Sequence, residues 1–186
     1  MGAVGGPVAM ETQLKRVGLR PEHAERLRSL RPLMDPLAYE MALAFYDHLG
    51  QDPHTRAILW SEPGRVERLY KSFEAWYREL FSGDYDDAYA KRRWRVGEVH
   101  ARFGVPLSLL LPAIGQVYSL ALEHLYATLR PGDLPGALEA LGKVLTLDIT
   151  LMALSYEGAQ ADGETPSAGR SLPDGRHPSG VGSRTG

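Results

Sequence analysis

Six histidines and no cysteine set the range of chemistry open to this 186-residue chain. Without a thiol there is no disulfide, no thiolate metal site and no cysteine nucleophile. The histidines are His23, His48, His54, His100, His124 and His177. None forms an i, i+4 pair or sits in a carboxylate frame of the kind that holds zinc. No serine occupies a G-x-S-x-G elbow, and Gly5-Gly6 precedes no strand that could make a phosphate loop. Hydrolysis and phosphoryl transfer therefore have no residues behind them, and no catalytic set is assigned. Any metal or cofactor must rest on histidine, carboxylate or tyrosine.

His100 differs from the other five. Val96 at i−4 and Phe103 at i+3 put its imidazole on an apolar helical face, and Gly97 leaves room one turn earlier. Earlier segments offer an apolar wall with two hydroxyls: Phe45-Tyr46 on one, and Leu69, Ser72, Phe73 and Trp76 on the other. One neutral imidazole facing an apolar slot with a phenol and a small hydroxyl meets the needs of a five-coordinate haem. The plainer reading is a core histidine bonded to a backbone carbonyl, with Tyr46 as a core-edge tyrosine.

Helices must position these groups. Asp35-Pro36 and Asp52-Pro53 each read as a cap followed by proline in the first turn. Gly50 closes the first of these two helices. The pattern predicts a helix over 65–81, another over 86–103 stopped by Gly104 and Pro106, and two long ones over 107–129 and 135–156 split by Pro131-Gly132-Asp133. An amphipathic piece over 11–30, broken near Gly18–Pro21, precedes them. No period-two run of β-branched residues occurs. The expected class is all-α, with seven to eight helices. Residues 10–158 form the folded domain. Residues 1–9, and the Gly-, Pro- and Ser-rich residues 159–186 without an aromatic, are expected to be disordered.

The last helix is apolar on more than one side. Leu138, Leu141, Leu145 and Met152 lie on one, and Val144, Leu147 and Leu151 on another. A second subunit is the expected cover, giving a homodimer through the two C-terminal helices. Val105–Leu122 carries no charge over a bilayer's length, but Pro106, Pro112, Gly115 and Gln116 mark it as a buried helix. The start lacks a basic region followed by an apolar run, so no signal peptide is expected. A formal net charge of −2 shows no basic excess, so no nucleic-acid partner is expected either. The location expected is cytoplasmic.

The run from Tyr89 to Gly104, YAKRRWRVGEVHARFG, resembles the proximal signature of globin-coupled sensors and protoglobins. Leu80–Asp86 and Ala44–Leu49 resemble further blocks of that family at matched spacing, so the likeness covers about residues 14–157. It implies a globin fold with an extra N-terminal helical segment and haem b. By position it makes His100 the proximal iron ligand, Tyr46 the distal hydrogen-bond donor, and Leu69 and Ser72 the distal leucine and small hydroxyl. Phe73, Trp76 and Val96 complete the expected wall. In the basic cluster Lys91, Arg92, Arg93 and Arg95, one or two members, Arg93 first, would pair with haem propionates; a solvated helix face is the alternative.

Two departures matter. Relatives often carry an aromatic pair shortly after the proximal histidine, where this chain has Leu109 and Leu110, and no output module is expected after the domain. The resemblance thus implies a single-domain gas sensor or oxygen-binding protein taking O2, CO or NO, with a separate signalling partner. A haem-less interaction module of the stressosome-regulator type is the alternative. NO dioxygenation needs an electron supply for which the chain has no flavin or nicotinamide motif, so an enzyme is not expected.

Overall fold

The structure, a computed structural model, describes residues 9–163; of the segments expected to be disordered, 1–9 and 159–186, all but residues 9 and 159–163 lie outside them. Among the described residues there are eight α-helices, one 3-10 turn and no strand. Helix α1 (Met10–Val17) ends at Gly18, whose φ of 65° lets the Gly18 and Leu19 amides fold back onto the last carbonyls. Helix α2 (Pro21–Met34) opens on proline, and His23 Nδ1 accepts the Arg20 amide at 3.0 Å. Asp35–Leu37 is a 3-10 turn that leads directly into α3 (Ala38–Leu49). Asp35 makes no cap there, because its Oδ2 accepts Arg31 Nε at 2.9 Å.

The Asp52 cap meets its geometry, and Asp86, which was not singled out as a cap, makes another. Asp52 accepts the Thr55 amide at 2.7 Å and starts α4 (Pro53–Leu59). Asp86 accepts the Tyr89 amide at 2.8 Å and starts α6 (Asp87–Arg102). Between them lies α5 (Arg65–Leu80), and after Gly104 and Pro106 come α7 (Leu107–Thr128) and α8 (Leu134–Gly163). Helix α8 continues past residue 158, since Ala159-Gln160-Ala161 are helix formers and no stop signal intervenes. No described helix is long and apolar enough to cross a membrane.

Helix α8 is the axis on which the others pack. It lies against α6, α2 and α7 and also touches α1 and α5. Leu141, Val144, Leu145, Leu147, Leu151 and Met152 are all buried within the single chain. This corrects the reason given for a second subunit: the N-terminal helices α1 and α2 supply cover that a shorter globin core would lack. A charge at Leu147 or Leu151 would strike the core.

Helices α6 and α8 approach closely at Gly97. A Cβ there would overlap Ser155 Oγ and lie 2.5 Å from the Met152 carbonyl oxygen. The space left by Gly97 is thus filled by α8 and not by a ligand. Gly97→Ala is expected to destabilise the domain by about 1–3 kcal/mol, the cost of overpacking a filled interior. A lowered urea midpoint at unchanged m-value checks this; an unchanged midpoint would contradict it.

Candidate ligand cleft

A cleft of about 560 Å³ opens between α3, α4 and α5 on one side and the α6–α7 corner on the other. That volume lies in the range of small-molecule and cofactor sites. Tyr46, Leu69, Ser72 and His100 all line it, from three helices. Phe45, Leu49, Ile58, Leu59, Val99, Phe103, Leu109, Leu110 and Ala113 make the lining mostly apolar. Among the described residues no group of three or more histidines and carboxylates could hold a metal by itself.

His100 lies in the last turn of α6, and its Nδ1 sits 2.8 Å from the Val96 carbonyl oxygen. A carbonyl can only accept, so Nδ1 carries the hydrogen and Nε2 is left with its lone pair. This is how a metal-binding imidazole is commonly oriented. The His100 carbonyl in turn accepts the Val105 amide at 3.0 Å, and Tyr156 of α8 donates its hydroxyl to the Val105 carbonyl at 2.8 Å. The corner that carries the histidine is therefore fastened to α8.

Tyr46 is 8% exposed, and its hydroxyl has no hydrogen-bond partner among the described residues. Burial pushes the phenol well above its ordinary range, with Tyr70 adding to the shift, so it stays protonated and able to donate. Phe45, Tyr70 and Phe73 surround the ring at centroid distances of 5.1, 5.5 and 6.0 Å. Ser72 is less free, since its Oγ donates to the Arg68 carbonyl at 3.2 Å.

Four of the expected site residues, three for the wall and one for the propionates, do not line the cleft. Phe73 is buried behind Phe45 and Tyr46, where it holds their rings. Val96 packs with Leu110, Met152 and Tyr156, and it serves the cleft through its carbonyl. Trp76 turns its Nε1 to Asp148 Oδ2 at 2.7 Å. Arg93, placed at propionates by the resemblance, is 2% exposed and does not reach the cleft. It donates to Glu79 Oε2 at 2.7 Å and to the Trp76 carbonyl at 3.2 Å, and its Nε lies 2.8 Å from Asp148 Oδ2. It sits two turns before His100, past the end of the cleft, where α5 and α8 close over α6. Burial works against its charge, but Asp148, Tyr89 and Glu79 outweigh that and hold the guanidinium above its ordinary value. Its neighbour Arg92 pairs with Glu79 at 2.9 Å.

The cations at the cleft are Arg65 and Arg68, which sequence reasoning did not single out. Both pair with Glu62, at 3.1 and 2.5 Å, and the Arg65 guanidinium lies 5.4 Å from the Phe103 ring centroid. The signal was present: 65, 68, 69 and 72 share the i, i+3, i+4, i+7 face that carries Leu69 and Ser72. The site thus presents the His100 imidazole with an exposed second one, His48, on α3, and adds one unpartnered phenol, apolar walls and two guanidinium groups at the mouth. This donor set fits a flat apolar macrocycle that needs one nitrogen ligand and carries acidic groups on its edge.

A family model described as Protoglobin matches residues 8–161. The chain belongs to the protoglobin family. This protoglobin is 27% identical over 113 residues to the heme-based aerotactic transducer HemAT of Halobacterium salinarum, covering 61% of this chain and 23% of that protein. It is 33% identical over 112 residues to the diguanylate cyclase DosC of Shigella flexneri, covering 54% and 28%. The chain thus spans about a quarter of the length of these curated relatives. Among solved structures, the globin domain of a Geobacter sulfurreducens globin-coupled sensor aligns with a TM-score of 0.75 at 27% identity, covering 80% of this chain and 98% of that one. The ferric globin domain of Escherichia coli DosC aligns with a TM-score of 0.65 at 17% identity, covering 77% and 97%, a likeness of fold.

Proposed function

We propose that this protoglobin binds haem b in the cleft and senses or carries a diatomic gas, O2, CO or NO. The observation that carries the reading is one apolar cleft lined by both His100, with its free Nε2, and Tyr46, with its unpartnered hydroxyl. The names of the relatives support it: one is a heme-based transducer and one structural neighbour is a globin-coupled sensor domain. Bound haem would supply a ferrous iron able to take a diatomic gas. The residues do the rest. His100 offers Nε2 while Val96 keeps the hydrogen on Nδ1. Tyr46 directs its hydroxyl proton at the ligand, and Leu69 keeps water from it. Arg65 and Arg68 would exchange Glu62 for the propionates. No residue of the cleft is assigned a catalytic role.

An absorption spectrum of the ferrous protein with and without O2 tests the proposal. A Soret band that shifts reversibly with the gas supports it. A colourless protein after haem reconstitution refutes it and leaves the interaction-module reading.

The homodimer also belongs to this proposal, now through a different surface. Leu111 and Tyr126 on α7 are 53% and 61% exposed, on one stripe with Gly115 and Ser119. On α8, Thr146 is exposed and Gly142 faces open space. Pairing these small and apolar faces across a twofold axis would bury them, and the state of the cleft would pass through α8 to a partner. Leu111→Asp is expected to give monomers with an unchanged haem spectrum. Sedimentation of the unmodified protein as a monomer at micromolar concentration would refute the dimer.

A further inference from the structure

We infer that Asp148 is a positioning residue for the cleft: one buried carboxylate on α8 receives Trp76 of α5 together with Tyr89 and Arg93 of α6, and so sets the distance between the wall that carries Leu69 and Ser72 and the helix that carries His100. The inference rests on the haem reading of the cleft.

Asp148 is fully buried. Its Oδ2 accepts Trp76 Nε1 at 2.7 Å and faces Arg93 Nε at 2.8 Å, while its Oδ1 accepts the Tyr89 hydroxyl. Two directed donors, one from each of two helices, and a guanidinium at ion-pair distance leave the carboxylate little freedom. Arg93 completes a ring by binding the Trp76 carbonyl at 3.2 Å and stacking over Tyr89 at 4.3 Å. Burial pushes the Asp148 carboxyl up, and Arg93, Tyr89 and Trp76 act against that.

The place of this knot in the fold gives it a function. Trp76 lies one turn after Ser72 and two after Leu69 on α5. Arg93 lies two turns before His100 on α6. The two helices therefore leave the knot and run out along the cleft. One turn beyond it, α6 touches α8 again at Gly97, against Ser155 and Met152. A buried ion pair is a poor way to gain stability alone, because apolar residues of similar volume often serve as well or better. What it adds is direction: each bond specifies an angle and a length that apolar packing leaves loose.

The test compares Asp148→Asn with the unmodified full-length chain. In the haem-loaded ferrous protein, the iron–histidine stretching band is expected to shift and haem loss to quicken about tenfold, the lower end of outer-shell effects on metal affinity. A variant with lowered stability but an unshifted band and normal haem retention would overturn the inference, leaving Asp148 a purely structural group. If Asp148→Asn does not fold, the paired change Asp148→Asn with Arg93→Met removes both charges without enlarging either side chain. It should fold and still show the shifted band; an unshifted band there overturns the inference. If the unmodified protein takes up no haem, the reading of the cleft has failed, and the tie is judged on the apoprotein. Asp148→Asn should then speed hydrogen exchange at the Trp76 indole and at the amides of Ser72 and His100 together. Unchanged exchange at Ser72 and His100 would overturn it.

Discussion

Replacing His100 by alanine is expected to leave a folded protein that retains no haem. The imidazole is half-buried at the edge of the cleft, and its one internal bond is to the carbonyl of Val96 within the same helix. Its loss should cost about 1 kcal/mol of stability, a typical value for one substitution. Haem retention is another matter, because among the cleft residues no second group stands opposite the distal wall with a nitrogen prepared as this one is. Haem content after purification and circular dichroism together decide the point. Added imidazole should restore a histidine-like spectrum by entering the space the side chain has left. Normal haem content in the variant, with an unchanged ligand spectrum, would remove His100 from the assignment.

Tyr46→Phe is expected to raise the O2 dissociation rate between about tenfold and a hundredfold, the equivalent of 1.5–3 kcal/mol for a hydrogen bond with a charged partner. O2 gains negative charge when bound and CO does not, so CO release should change far less. The same substitution should leave the apoprotein as stable as before or slightly more so. The hydroxyl faces the cleft and has no protein partner to be orphaned. Phe45, Tyr70 and Phe73 hold the ring through its faces and edges, which phenylalanine keeps. Stopped-flow rates for the two gases, read beside a denaturation curve, separate a hydrogen bond from packing. Equal effects on O2 and CO would mean that Tyr46 acts by shape.

Much of this was legible in the sequence because it is local. Asp52 and Asp86 are followed by amides that need an acceptor, and Gly104 and Pro106 end α6 whatever surrounds them. The face shared by Leu69 and Ser72, and the face bearing His100, follow from helical period alone. What escaped was decided between helices. Arg93 looks like a surface cation until Asp148, on another helix far along the chain, is placed beside it. Gly97 announces a close approach, but its own helix cannot say whether a cofactor or α8 makes it. The apolar sides of α8 give no sign that α1 and α2, at the far end of the chain, will cover them. Arg65 and Arg68 were passed over because their face was read from Leu69 onward and not one turn earlier.

The central place of α8 also bears on how the chain becomes a domain. Helices α1 and α2 are made first and α8 last, yet they share one core, with His23 of α2 lying 3.3 Å from Glu139 of α8. Single helices form in about a microsecond or less. Closing nearly the whole chain on itself is slower, because the entropy of that loop is lost before any contact repays it. Folding therefore waits on the final helix. During synthesis, the side of α2 that packs on α8 stays uncovered until residues beyond 134 have left the ribosome. The time for which the nascent chain can mispair with another copy is set by that delay.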